Sequence, residues 1–411
     1  MRGGLLAALV ACLMFCASGA SAATVAPSFQ APLPGVMPTE PDAATVKQLA
    51  EHDRVSVAHA EQVLKVQAKG GNLGTDVKER LGSEFAGVWL DRKEGRWKVG
   101  VISDDAGSKI QDLLSQRGIA EETSLVRVDR TDDQLRELAA KWEATHPVKS
   151  NDQQWVLIDH ENNAVRVKVP NDLDPKALAA LRSDAGPGVE IESVPPVQLM
   201  TEDDACNIAV KGCDAPARGG VKFGTNSVTC TAGFMTIGTG GRNYFMLTAG
   251  HCLENDPIGA QVDLVSIGNV WRYFGVTHNF LHIPGGVDTG IVRYAGANSW
   301  WSSVADAVVA WTVDEYRLIW GWYAVSQGEW VCHSGITSGI QCGNVVAPVD
   351  ATGRVAVAAC SKGGDSGGPW IVGYGAAGIH SSSTPGDCVV PETSWYTQID
   401  FASNPMHVVP F

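Results

Sequence analysis

Two kinds of hydrophobic patterning divide this chain. Over Val46 to Lys69, and again over Asp132 to Thr145, apolar residues recur at helical spacing among charged ones, which predicts amphipathic helices. Phe85 to Leu90 and Trp97 to Val101 flank a polar turn, and a helical stretch to Gln116 and a strand over Ser124 to Val128 follow. The order returns in Trp155 to Ile158, Ala164 to Val169, a helix over Pro175 to Arg182 and a strand over Val189 to Val194. The N-terminal part therefore reads as α+β, with a weak repeat of hairpin, helix and strand. From Thr229 the pattern changes to short apolar runs divided by Gly, Asn, Asp and Pro. They span Thr229 to Ile237, Tyr244 to Thr248, Asn269 to Val276, Thr289 to Tyr294, Trp330 to Ser334, Asn344 to Val349, Trp370 to Val372 and Gly378 to Ser381. Evenly spaced short strands of this kind suit an all-β barrel architecture.

Composition draws the same boundary. Residues 1–205 carry 53 of the 76 charged side chains, whereas 206–411 carry 23 of them together with nine of the 13 Trp and eight of the 10 Cys. Eight Cys in about 200 residues predict a disulfide framework made in an oxidising compartment, and they allow 105 pairings. Paired C-x-x-C spacing is absent, which argues against a zinc site, and no cofactor motif is found. The other two Cys fall in a leader: Arg2, an apolar run from Leu5 to Phe15, then Ala20-Ser21-Ala22 as a cleavage site. Residues 1–22 are thus expected to be a signal peptide and the product to be secreted, extracellular or periplasmic. The leader run is too short to span a membrane. Ala26 to Pro41 reads as an extended linker. A net charge of −14 without basic blocks argues against nucleic acid as a partner.

Candidate chemistry gathers in the C-terminal half. Gly364-Asp365-Ser366-Gly367-Gly368-Pro369 sets a serine among glycines, with Thr248-Ala249-Gly250-His251-Cys252 and Asp288-Thr289-Gly290 upstream. Serine needs an imidazole to take its proton and a buried carboxylate to orient that imidazole; His251, Asp288 and Ser366 supply one of each. The glycines leave room for backbone donors to an oxyanion, expected from Gly364 and Ser366. The same serine satisfies the G-x-S-x-G elbow of esterases. Only 45 residues follow it, however, too few for the rest of a parallel sheet. A catalytically silent binding protein is the other alternative. The histidines at 52, 59, 146 and 160 have no motif around them and are expected on the surface, and His278, His282 and His407 are expected to be surface or packing residues.

On these motifs the chain resembles the chymotrypsin-like serine proteases, more closely the bacterial streptogrisin and α-lytic protease branch. The resemblance implies a secreted serine endopeptidase with an all-β double β-barrel protease domain over 201–411. His251 and Asp288 would lie on one six-stranded barrel and Ser366 on the other, and the stretch Trp300 to Trp322, with six aromatics, would cross between them. "FAGVWLD" and "WVLIDHENNAVRVKV" look like the branch's pro-segment, so 23–200 is expected to be a linker and α+β pro-domain that assists folding and inhibits. The resemblance also implies disulfides Cys230–Cys252, Cys332–Cys342 and Cys360–Cys388, leaving Cys206 and Cys213 to pair. Partners would be protein or peptide substrates and the chain's own pro-segment, with a monomer as the assembly. Gly378 to Ser383 would pair with the substrate backbone. His380, with Ser381, Ser382, Ser383 and Lys362, would select between an acidic and a broadly apolar residue before the scissile bond. Where relatives have Arg after the hairpin Cys, this chain has His333, and that residue is expected to partner the buried Asp365.

Overall fold

The computed structural model describes residues 40–146, 155–170, 173–194, 198–199, 216–241, 243–266, 269–310, 316–319, 321–384 and 392–409. The expected signal peptide, most of the linker, the junction at 200–215 and Cys206, Cys213 and Cys388 lie outside them.

The N-terminal segment begins with α1 (Ala43–Asp53), α2 (Val57–Gly70) and α3 (Leu73–Leu81). The helical pattern over Val46 to Lys69 is divided between α1 and α2. Arg54 adopts a left-handed conformation (φ 56°) that ends α1, and Ser56 caps α2 by accepting from the His59 amide. The first unit follows as β1 (Val88–Asp91), β2 (Arg96–Val101), α4 (Asp104–Gln116) and β3 (Thr123–Arg127). Next come α5 (Asp132–Thr145), started by a Thr131/Gln134 capping box, and the second unit. That unit is β4 (Trp155–Asp159), β5 (Ala164–Pro170), α6 (Pro175–Asp184) and β6 (Val189–Val194). Each unit is an antiparallel hairpin whose second strand pairs in parallel with the strand after the helix. The repeat read from the pattern is therefore one topology used twice. A short strand, β7 (Gln198–Leu199), ends the segment.

The C-terminal segment is all-β apart from short helical turns. Its first half contains β8 (Ala217–Gly219), β9 (Lys222–Gly224), β10 (Thr229–Thr231), β11 (Phe234–Gly238), β12 (Tyr244–Thr248), β13 (Gln261–Ser266), β14 (Val270–His282) and β15 (Asp288–Tyr294). The connection holds β16 (Val304–Ala310), β17 (Tyr316–Leu318) and β18 (Gly321–Trp322). Then come β19 (Trp330–Gly335), β20 (Gly339–Ala347), β21 (Arg354–Ala358), β22 (Pro369–Val372), β23 (Gly375–Ser383) and β24 (Ser394–Gln398), followed by α7 (Ile399–Ser403) and β25 (Val408–Val409).

Strands β19 to β24 form a six-stranded barrel that closes where β23 pairs with both β22 and β24. The other sheet runs β10-β9-β13-β14-β15-β12-β11-β25. Among the described residues no strand pair closes it. Instead, the run expected as one strand over Thr229 to Ile237 is bent at Ala232-Gly233, its first half pairing with β9 and its second with β12. A Cβ on Gly233 would meet the Leu247 and Gly367 carbonyls at 2.5 and 2.7 Å, so only glycine admits that bend. The connection is more structured than a crossing, since β16 pairs with β8 and β17. Trp301 is fully buried beneath it while Trp300 and Trp322 are exposed.

The N-terminal segment packs onto the closed barrel. Gln67 brackets the Trp330 backbone, donating to its carbonyl at 2.9 Å and accepting from its amide at 2.7 Å. The Leu90 amide donates to the Gln327 carbonyl, Arg92 to the Gly328 carbonyl and the His160 amide to the Gln327 side chain. Leu157 of β4 buries itself against Ala347, Ala356 and Trp395. Of the histidines expected at the surface, His52 is exposed, His59 and His146 are half-buried and His160 is buried. His160 is buried with its Nε2 2.9 Å from Asp132, His52 stacks edge-on to Trp330, and His146 stacks on Trp142.

Candidate active site

Three local structures present the candidate residues. His251 sits in the turn after β12, tied by the Cys230–Cys252 disulfide to β10. Asp288 is the first residue of β15. Ser366 occupies the turn before β22, between Gly364 (φ 94°) and Gly367 (φ 82°), whose left-handed backbones a side chain would strain. A Cβ on Gly367 would also lie 2.0 Å from the Thr248 hydroxyl, so the serine turn seats directly on the end of β12.

The side chains form one hydrogen-bonded line. Ser366 Oγ is 2.9 Å from His251 Nε2, and His251 Nδ1 is 2.6 Å from Asp288 Oδ2. The His251 amide donates to the other carboxylate oxygen at 2.9 Å, which fixes the turn to the strand. Ser381 Oγ donates to Asp288 Oδ2 at 2.6 Å. Thr397 clasps the Asp288 backbone, its hydroxyl accepting from the amide and donating to the carbonyl. Burial alone would raise the Asp288 pKa. The His251 charge and the hydrogen bonds from His251 and Ser381 outweigh that and hold the carboxyl well below its ordinary range. All three residues are at most 4% exposed. The sulfurs of Cys230 and Cys252 next to His251 are bonded to each other, so their proximity is not a metal-ligand set.

The expected partnership of His333 with Asp365 is not a hydrogen bond; the Asp365 charge acts on the ring through space, against the effect of burial. His333 Nε2 donates instead to the Cys360 carbonyl at 3.0 Å. Asp365 is satisfied by the amides of Thr337, Ser338 and Lys362 and by the Ser338 hydroxyl, at 2.5 to 3.1 Å. Three donors from the adjoining turn and one from its own loop satisfy the buried carboxylate without an arginine. Of the expected disulfides, Cys230–Cys252 and Cys332–Cys342 are present, and Cys360 is disulfide-bonded.

The expected selector residues line one strand. His380, Ser381, Ser382 and Ser383 are buried on β23, and β7 of the N-terminal segment pairs antiparallel along it, Leu199 opposite Ser382 and Gln198 opposite Ser383. Lys362 is exposed and joins the loop through its amide. Two neighbours escaped the sequence reading. Thr397 has no motif signal; His282, whose ring centre is 5.8 Å from that of His251, is held by Glu254 at 2.7 Å. A histidine 31 residues after His251 gains that position only through the pairing of β14 with β15.

Residues 58–113 match the family model for the alpha-lytic protease pro N-terminal domain. Over 337 residues the chain is 28% identical to serine protease 1 of Streptomyces fradiae, covering 76% of this chain and 79% of that protein. Over 180 residues it is 36% identical to glutamyl endopeptidase 2 of Streptomyces griseus, covering 40% of this chain and 84% of that protein. A solved glutamic acid specific serine protease, described as using a histidine triad in substrate binding, aligns at 26% identity. That alignment covers 47% of this chain and all of that one, with a TM-score of 0.40. The chain belongs to the chymotrypsin-like serine proteases, in their streptogrisin and α-lytic protease branch. It is a serine endopeptidase with a zymogen pro-region.

Proposed function

We propose that this endopeptidase is secreted as a self-processing zymogen in which residues 1–22 are the signal peptide, 23–200 the linker and pro-domain and 201–411 the protease domain. Ser366 attacks the scissile carbonyl as its proton passes to His251 Nε2, and Asp288 stabilises the imidazolium that forms. The oxyanion is received by the amides of Gly364 and Ser366. His251 then gives its proton to the leaving amine, and water hydrolyses the acyl-enzyme by the same route in reverse. The observation that carries this reading is the unbroken line Ser381–Asp288–His251–Ser366, buried and within hydrogen-bond distance throughout. Among the described residues no helix is long and apolar enough to cross a membrane.

The pro-domain inhibits by occupying the strand that substrate needs. β7 takes the edge of β23 at Ser382 and Ser383, next to the residue that buttresses Asp288. Self-cleavage falls in the stretch after Leu199, which contains Met200 and Glu202. Substrates are cut after Glu or Asp. The polar residues His380 and Ser383 support this preference, as does the relative named a glutamyl endopeptidase. The test is a residue-diverse peptide library digested by the processed enzyme, with Ser366→Ala as blank. Cuts after Glu and Asp are expected; cuts only after Leu, Phe or Met remove the acidic preference, and no cleavage beyond the blank removes the catalytic reading.

A further inference from the structure

His380 is fully buried, and its two ring nitrogens face different company. Nδ1 lies 3.2 Å from the indole Nε1 of Trp370, itself fully buried on β22. Nε2 has no hydrogen-bond partner among the described residues. An indole N–H can only donate, so the nitrogen it meets must be bare, and the ring proton must sit on Nε2. An imidazolium would set two N–H groups against each other in a packed core where neither ring can turn away.

We infer that Trp370 is a positioning residue for specificity: it locks His380 as the neutral Nε2–H tautomer, so the pocket selects any side chain ending in a hydrogen-bond acceptor, Gln as well as Glu. This rests on the reading of His380 as the selector. It differs from an acid-specific pocket built on a positive charge, because a neutral donor separates Glu from Gln only by the added strength of one charge-assisted hydrogen bond, about tenfold, and not by a full ion pair.

The groups around His380 favour the neutral ring. On β19, His333 stacks against it at 5.2 Å with its planes 10° apart; its Nε2 is committed to the Cys360 carbonyl and its Nδ1 is buried without a partner among the described residues. Tyr396 of β24 stacks on Trp370, its hydroxyl kept neutral by burial. Burial pushes His380 well below its ordinary value, and His333 and His251 push the same way; only Asp288 opposes them. The long-chain cation nearest in sequence, Lys362, is exposed.

The test uses enzyme matured from the full chain, assayed on peptides that differ only in the residue before the scissile bond, Glu, Gln or Leu. The kcat/KM ratio of Glu to Gln cancels the titration of His251. It is expected to stay within about tenfold and to remain flat from about pH 5.5 to about 8.5, with both substrates at least about tenfold above Leu. In Trp370→Phe, which removes the donor but keeps the ring, the Glu:Gln ratio should grow about tenfold toward acid pH as the imidazolium becomes allowed. Nitrogen-15 spectra of the Ser366→Ala protein should show a bare His380 Nδ1 and a protonated Nε2, a readout that does not depend on Trp370→Phe folding. A wild-type ratio of about 100 or more in favour of Glu, rising toward acid, overturns the inference, as does a protonated Nδ1. Preference for Leu over both Glu and Gln overturns the selector reading beneath it, which those two results would leave standing.

Discussion

Gly328 of the protease segment lies under the carbonyl of Leu90 of the pro-segment so closely that a Cβ would stand 2.0 Å from that oxygen. Its φ of 84° is itself a glycine conformation. The missing side chain allows β1 to approach the loop before β19 and the Leu90 amide to reach Gln327 at 2.8 Å. Gly328→Ala should therefore loosen the pro-segment by about 1–3 kcal/mol, roughly five- to 150-fold in inhibition constant. The measurement is inhibition of mature enzyme by separately expressed 23–200. An unchanged constant would mean that the loop docks in another way.

Ser381 and His251 share one Asp288 oxygen, and losing either contact has different consequences. Ser381→Ala removes one charge-assisted hydrogen bond, so kcat/KM should fall about tenfold with KM little changed. Asp288→Asn puts an amide where the His251 Nδ1 proton must be received, and kcat should fall about 10⁴-fold. Initial rates on a cleaved library peptide check both. A Ser381→Ala loss as large as that of Asp288→Asn would show that Ser381 does more than buttress the carboxylate.

What the sequence made legible was local chemistry and period. The His, Asp, Ser order, the glycines around Ser366 and the twice-used hairpin–helix–strand all reside in short stretches. Strands β13 and β21 were missed because each is short and carries a charged residue that local pattern alone does not assign to a sheet. The burial of His160 depends on Asp132, 28 residues away, and on Gln327, 167 residues away, which no window registers. The His333 expectation missed the hydrogen bonding of Asp365 for a similar reason. The donors that satisfy Asp365 are mostly backbone amides, and amides leave no mark in a sequence.

Asp132 offers a test of the pro-domain's own stability. It is 1% exposed and accepts from His160, Arg136 and Lys78. Burial would raise its pKa, but the hydrogen bond and charge of His160, with help from Arg136, hold it far below the ordinary value. A depressed carboxyl contributes stability that is present above its unfolded pKa and is lost as pH falls toward the folded one. Asp132→Asn should thus destabilise the Ser366→Ala zymogen by about 2 kcal/mol at neutral pH, with the gap narrowing below about pH 4. Thermal unfolding across that range measures it, and a gap independent of pH would exclude the charge as its source.

Glu329 has the opposite sign. It is 1% exposed in the loop that the pro-segment clasps; Tyr323 donates to it at 2.7 Å and the Ser326 amide at 2.5 Å. Among the described residues no cation hydrogen-bonds to it. Burial pushes its pKa up to about 8, against the pull of those two donors. A carboxyl raised in this way is neutral in both folded and unfolded chains at low pH. Between its unfolded value and about 8 the unfolded chain ionises while the folded one does not, so stability drains away as pH rises through that window. Glu329→Gln keeps the shape and the hydrogen-bonding capacity without the charge. In the Ser366→Ala background it should match the parent near pH 4.5 and exceed it by on the order of 3 kcal/mol near pH 8. Urea unfolding at the two pH values decides this. If the variant is no more stable at pH 8, Glu329 ionises inside the fold, and a cation or water must reach it there.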